Sequence, residues 1–261
     1  MVIKNQNPSE QISANNPWYI DEQFASQYNR PGPRAVIENR WSIFQKGLEE
    51  FSLIKNRKHS TSPTRILDAG CGDGINLFGL NKISQTLSLE AQIYGVDYNP
   101  LRLERASKFS FVEEITQSPL DDLPYADAWF DVIICNQVLE HIPQDQKVLE
   151  ELKRVTRPGG MFILGVPNEG CFLAWLRNHI IQRSILKNTD HVNFYTERKL
   201  LNLLTESGFS TLNIKRPGFF LPHSILHFVI SYTNIGRWFL NTLGNIWKSQ
   251  SAELIIISIK K

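Results

Sequence analysis

The tract Asp68-Ala-Gly-Cys-Gly-Asp-Gly74 constrains the fold more than any other stretch of the chain. It follows the short apolar run Arg65–Asp68 and precedes a helical pattern, so three glycines fall where a strand turns into a helix. Glycines there let the backbone approach a ligand closely, and the first turn of the following helix offers unpaired N–H groups. The same rhythm then repeats. Gln92–Asp97 is a second strand, followed by Asn99-Pro100, a cap residue with proline at the first helical position. Glu113–Gln117 and Phe130–Cys135 read as the next strands. Gln144–Arg157 places Val148, Leu149, Leu152 and Val155 on one helical face and is ended by Pro158-Gly159-Gly160. Met161–Val166 is a strand, Thr196 caps a helix bearing Leu200, Leu201 and Leu204 that Gly208 closes, and Thr211–Lys215 and Leu254–Ile259 complete the strands. Strands alternating with helices predict an α/β, Rossmann-like, doubly wound and mostly parallel seven-stranded sheet.

The 261 residues suit one domain, expected over 18–261 behind a flexible polar tail of residues 1–17. Within it, residues 18–53 form a helical cap with Ile37, Trp41, Phe44 and Leu48 at helical spacing, and 55–64 a polar linker. Residues 65–218 form the core, 219–248 an apolar helical insert and 253–260 the last strand. A hydrophobic fraction of 42% excludes disorder, and three scattered cysteines without a CxxC exclude a disulfide scaffold. That cysteine pattern fits a reducing compartment and speaks against structural zinc, and no metal site is expected. The N-terminal stretch lacks the apolar segment of a secretory signal, and no run reaches the ~18 apolar residues that span a bilayer. A cytoplasmic protein is expected. Charge is uneven: residues 1–175 carry 17 basic and 22 acidic side chains, residues 176–261 carry 11 and 4. The basic part can mark a face for an anionic ligand or a membrane surface, or be ordinary solvated surface.

Asp97, at the end of the second strand, can accept hydrogen bonds from both hydroxyls of a ribose. With the glycine turn it points to an adenosine-containing cofactor across the strand ends. A dinucleotide fingerprint requires G-x-G-x-x-G, whereas position 75 is Ile and the loop reads G-x-G-x-G. Asp68 would repel a pyrophosphate and attract an ammonium group. A cofactor with an amino-acid end and no phosphates therefore fits better. P-loop, serine-hydrolase and zinc-protease signatures are absent from the sequence.

Four tracts, RILDAGCGDG (65–74), YGVDYNP (94–100), DDLPYADAWFDVIICNQVLEHI (121–142) and ELKRVTRPGGMFILGVPN (151–168), stand in the order of the class I S-adenosylmethionine-dependent methyltransferases. The chain resembles the small-molecule group of that family over about two-fifths of its length, and more weakly over His191–Thr196 and Gly208-Phe209. The resemblance implies S-adenosyl-L-methionine as cofactor, S-adenosyl-L-homocysteine as product, and methyl transfer to an O or N atom of a small acceptor. It implies that Asp68, Gly70, Cys71, Gly72 and Gly74 wrap the methionine end, Asp97 holds the ribose, Tyr98 packs on the adenine and Asn136 lies near the methionyl group. Relatives usually carry an Asp four residues before the Leu-Pro; here it is Pro119 after Ser118. Proline neither accepts through its side chain nor donates an N–H, which moves the adenine contacts to the Leu120 amide and Asp121.

His141, after the fourth strand, is a candidate general base or a helix-start residue bonded to backbone, and Glu140 reads as a cap or anchor. His191 is the second candidate base. Tyr19, Tyr28 and Tyr195 are candidates for the acceptor side or for packing, and Arg30, Arg34 or Arg40 for pairing with a ligand carboxylate. The rich apolar content of Phe219–Trp247 requires cover: a lid that walls a partly hydrophobic acceptor pocket, a homodimer interface, or a patch on a bilayer surface. Nucleic acid is not an expected partner. A non-catalytic methyltransferase-like binding module and an NAD-dependent oxidoreductase stand as alternatives.

Overall fold

The computed structural model describes residues 21–57, 62–184 and 189–261. Tyr19 and the tail lie outside the described residues. The seven expected strands all form: β1 (Thr64–Ala69), β2 (Ala91–Asp97), β3 (Val112–Gln117), β4 (Phe130–Asn136), β5 (Thr156–Pro167), β6 (Phe209–Lys215) and β7 (Glu253–Lys260). They make one sheet in the order β3-β2-β1-β4-β5-β7-β6. The pairs among β1 to β5 are parallel, and β7 runs antiparallel to both β5 and β6.

Alternation along each strand divides the core in two. Leu67, Ile133, Cys135, Phe162, Leu164 and Ile256 face α4 (Asp145–Val155) and α6 (Glu197–Glu206). Ile66, Val132, Ile134, Ile163 and Ile257 face α1 (Pro31–Arg57), α2 (Ile75–Thr86) and α3 (Pro100–Ala106). Asn99 caps α3, its side chain accepting from the Leu101 and Arg102 amides, and Thr196 caps α6 through the Lys199 amide.

Three boundaries differ from the sequence reading. The cap helix runs on to Arg57, consuming the start of the expected linker. β5 begins at Thr156 rather than Met161. Its Pro158-Gly159-Gly160 tract joins the sheet through an irregular register against β4 between Phe130 and Val132. The insert forms two helices, α7 (Ser224–Ser231) and α8 (Asn234–Ile246), after the short α5 (Phe172–Leu176) and its π-type continuation Arg177–Ile181. Phe219, Phe220 and Leu240 are buried, but Ile235 is 80% exposed, Trp238 68% and Trp247 60%. Within the chain only the inner side of this apolar surface is covered.

Candidate active site

Strand order reverses between β1 and β4, and in open α/β sheets ligands lie at the C-terminal ends of the strands flanking that point. Three left-handed glycines, Gly70 (φ 81°), Gly72 (φ 52°) and Gly74 (φ 89°), carry the chain from β1 into α2. Asp97 holds this loop from the next strand. One carboxylate oxygen accepts from the Gly72 amide at 2.9 Å and the other from the Asn99 amide at 2.9 Å. A carboxylate has about four acceptor sites, which leaves room for a ligand hydroxyl beside these amides. Burial raises the Asp97 pKa, against the lowering effect of those amide bonds.

Asp68 is fully buried, and neither carboxylate oxygen has a well-formed hydrogen bond; the Asn76 side chain offsets little of this. Burial first, and the charge of Asp97 second, push its carboxyl up to about 8. Two positions along β4 from Ile134, the register partner of Asp68, the side-chain oxygen of Asn136 is likewise buried without a partner. Asn136 lies opposite Gly165 of β5, where any Cβ would run into that oxygen. Buried polar atoms without partners are rare in folded proteins and each needs an explanation. Here they are an acid and an amide at the edge where an ammonium-bearing amino-acid tail would sit, and the residues fit the methionine end of S-adenosylmethionine.

Sequence reasoning missed Gln23. Its amide donates to Asp73 at 2.6 Å, and its side chain sits where a Cβ at Gly72 would point. It also missed Gln117, whose side chain donates to the Tyr98 carbonyl at 3.3 Å. Tyr98 is largely exposed beside the loop, Leu120 is buried and Asp121 exposed in the turn after β3, and the Cys71 thiol is buried, which raises its pKa.

Of the two roles open to the tyrosines, Tyr28 and Tyr195 take the packing one. Tyr28 is buried among Phe24, Trp41 and Phe78, which takes it out of reach of an acceptor. Tyr195 is fully buried and donates to Asp145 at 2.8 Å. Arg40 is spent on Glu253 through two hydrogen bonds, and Arg34 donates to the Tyr28 carbonyl.

His141 and His191 do come together, although 50 residues separate them in sequence, with ring centroids 4.7 Å apart. The Val192 and Asn193 amides donate to the Glu140 carbonyl, pinning the His191 loop to the end of β4. His141 Nδ1 lies 3.2 Å from an Asp190 oxygen and His191 Nδ1 2.5 Å from a Glu169 oxygen. Burial opposes a charge on His191, but the Glu169 hydrogen bond and charge outweigh it and raise its pKa. Glu169 also takes Arg177 at 2.8 Å. Beside this group a cavity of about 230 Å³ is lined by Gln137, Glu169, Arg177 and Glu253 on its polar side and by Pro167, Phe220, Leu221 and Ala252 on its apolar side. A larger cavity of about 680 Å³, bordered by Thr196, Arg216 and Lys248, adjoins neither the glycine loop nor the histidines.

Residues 67–164 match a family model described as a methyltransferase domain. A probable S-adenosylmethionine-dependent methyltransferase of Mycobacterium tuberculosis is 30% identical over 178 residues, 68% of this chain and 58% of that protein. A ubiquinone biosynthesis O-methyltransferase of Paraburkholderia phymatum is 28% identical over 62% of this chain and 71% of its own. The chain spans less than two thirds of the length of the mycobacterial relatives, 62% and 58% of two of them. Among solved structures, an S-adenosylmethionine-dependent methyltransferase from Mesorhizobium loti superposes with a TM-score of 0.54 at 16% identity, over 76% of this chain and 92% of its own. A likeness at that identity speaks for the fold alone.

Proposed function

We propose that this chain, which belongs to the class I S-adenosylmethionine-dependent methyltransferases, transfers a methyl group to an oxygen or nitrogen of a small, partly hydrophobic acceptor. The observation that carries the reading is the unsatisfied Asp68 beside the left-handed glycine loop, one strand from Asp97. S-adenosylmethionine, when bound, supplies an already activated sulfonium methyl. The chain then has to hold the nucleophile in line and keep water out. Asp68 is suited to the ammonium, Asp97 to the ribose hydroxyls, and Tyr98 to one face of the adenine. The cavity beside Gln137 supports an acceptor with an apolar body against Phe220 and Leu221 and a polar end toward Glu169 and Arg177. The two histidine–carboxylate pairs, one of them sharing Glu169 with this cavity, favour an acceptor that must lose a proton, hence a hydroxyl. The O-methyltransferase among the relatives agrees with that choice.

We also propose that the insert rests on an anionic membrane surface from which such an acceptor is drawn. Its exposed Ile235, Trp238, Phe239, Ile246 and Trp247 stand in a stretch with no acidic residue between Glu206 and Glu253 but with Lys215, Arg216, Arg237 and Lys248. Among the described residues, no helix is long and apolar enough to cross a membrane, so contact would be peripheral.

The test of the main reading is calorimetric binding of S-adenosylhomocysteine, followed by methyl transfer from labelled cofactor to amphiphilic hydroxyl and amine acceptors. Tight binding with transfer is expected. No binding by a folded protein would defeat the reading, and binding without transfer to any acceptor would favour the non-catalytic module.

A further inference from the structure

The structure assigns a divalent-cation site to Glu140, His141 and His191. One donor atom from each residue lies within 4.8 Å of the others. Ligands ~2.0–2.2 Å from a tetrahedral ion stand about 3.4 Å apart, so modest side-chain rotation closes the set. Nearness alone would not make a site, and three further features point to a ligand.

The first is Glu140. It is 1% exposed, and its Oε2 is buried without a partner. The neighbouring arginines are committed elsewhere, Arg177 to Glu169 and Arg40 to Glu253. A buried carboxylate oxygen left in this state needs an explanation, and a ligand that completes it is one.

The second is the orientation of the imidazoles. Each ring has Nδ1 on a carboxylate, His141 on Asp190 and His191 on Glu169. That leaves Nε2 as the ligating nitrogen on both. A carboxylate behind the far nitrogen is the arrangement that fixes the tautomer and ring plane of metal-bound histidines. Gln137 adds a third sign of a built site. It holds a left-handed backbone at φ 58°, its side-chain nitrogen is buried without a partner, and it lines the cavity with Glu169. Strained non-glycine residues of this kind persist where the surroundings over-determine them, commonly at functional sites.

Two imidazoles and one carboxylate are a borderline donor set suited to a first-row cation such as Zn²⁺, Mn²⁺ or Co²⁺. With three protein ligands, a position remains for water or an acceptor oxygen from the adjoining cavity. The use of the site rests on the methyltransferase reading above; its existence does not. A hydroxyl bound to the cation loses its proton to bulk water at lower pH than a free one. The oxygen lone pair then forms the O–CH₃ bond while the S–CH₃ bond breaks and its electron pair returns to sulfur. The products are the methyl ether and the thioether S-adenosylhomocysteine, and the cation is unchanged. In this assignment His141 and His191 are ligands and not bases.

The experiment titrates the full chain, stripped with chelator and dialysed, with Co²⁺ followed by visible absorption and with Mn²⁺ by calorimetry. One equivalent should bind. Glu140→Gln, His141→Ala and His191→Ala should each weaken binding at least tenfold, and Glu169→Gln by ~10–100-fold through loss of ring orientation. His179→Ala, on an exposed ring away from the cluster, should leave it unchanged. His141 is itself exposed, so its variant keeps the test valid even where Glu140→Gln disturbs folding. Cation binding that is absent, or equal in the wild type and the three ligand variants, would overturn the assignment. S-adenosylhomocysteine is titrated in parallel: variant-sensitive cation binding without it would uphold the site and remove the methyltransferase reading.

Discussion

Replacing Asp68 by Asn should make the ligand-free protein more stable and its cofactor binding worse, two effects of opposite sign from one atom change. Asp68 is fully buried, and its carboxyl is pushed from an ordinary 3.8 up to about 8. Between about pH 4 and pH 8 the folded chain therefore holds a proton that the unfolded chain has released, and stability falls as pH rises through that window. At ~1.4 kcal/mol per pH unit the loss approaches about 5 kcal/mol by pH 8 as an upper bound, part of it shared with Asp97. Asn cannot titrate, so the melting temperature of the ligand-free Asp68→Asn variant should be flatter with pH. At 2–4 °C per kcal/mol its advantage at pH 8 reaches roughly 10 °C, shrinking toward pH 4. The same change removes a charge-assisted bond to the cofactor ammonium, ~1.5–3 kcal/mol, so S-adenosylhomocysteine should bind about 10–150-fold more weakly. Differential scanning fluorimetry across pH and calorimetry at pH 7.5 read the two effects. A variant whose pH profile parallels the wild type and whose affinity is unchanged would refute both the burial argument and the placement of the ammonium.

Asp97→Ala should raise the dissociation constant for S-adenosylhomocysteine by at least tenfold in calorimetry, since it removes the ribose acceptor and the anchor of the Gly72 amide together. Tyr195→Phe deletes the hydroxyl donated to Asp145 and should cost about 1 kcal/mol of stability in urea titration with turnover intact; a tenfold fall in kcat would return Tyr195 to the acceptor site. In flotation with vesicles containing anionic lipid, the intact chain should rise with the liposomes and the Ile235→Ser, Trp238→Ser double variant should stay below. A wild type that ignores the vesicles and sediments as a dimer dissociated by the same substitutions would assign that surface to a second copy instead.

The glycine turn and the two carboxylates beside it were readable in sequence because their determinants are local. Asp68, the glycines and Asp97 each sit at a strand end marked by an apolar run, and the turn chemistry of Gly70-Cys71-Gly72 has few other uses. The acceptor side was not, because it is assembled by tertiary pairing. Nothing in the run from Glu140 to His191 shows that Val192 and Asn193 will donate to the Glu140 carbonyl and bring two histidines together. Tyr28 and Tyr195 illustrate the opposite failure. An aromatic side chain with a hydroxyl suits either a pocket or a core, and only packing against Trp41 or a hydrogen bond to Asp145 decides which. The strand from Thr156 defeated propensity reasoning for a similar reason: pairing of Thr156 with Phe130 and of Met161 with Val132 carries the intervening Pro158-Gly159-Gly160 along β4 as an irregularity despite its turn-forming composition.

Four of the buried polar groups that lack a partner gather at one edge of the sheet. Asp68, Asn136, Gln137 and Glu140 all lie at or just past the C-terminal ends of β1 and β4, and each has a buried polar atom without a partner. The strand interiors beneath them are apolar on both faces, with Ile66, Leu67, Val132, Ile133 and Ile134 fully buried. The cores on the two faces of the sheet thus supply the stability that the edge withholds, the usual relation between a rigid scaffold and a site kept ready for charge. Ligands that satisfy this edge should then stabilise the chain by mass action. An ammonium at Asp68 and a cation at Glu140 act on different residues, one near the end of β1 and one in the turn after β4. Their stabilising effects should therefore be close to additive in thermal shift when S-adenosylhomocysteine and Co²⁺ are supplied singly and together. Strict competition between them would mean that both ligands occupy the same space, and would move the cation out of the Glu140–His141–His191 group and into the cofactor cleft.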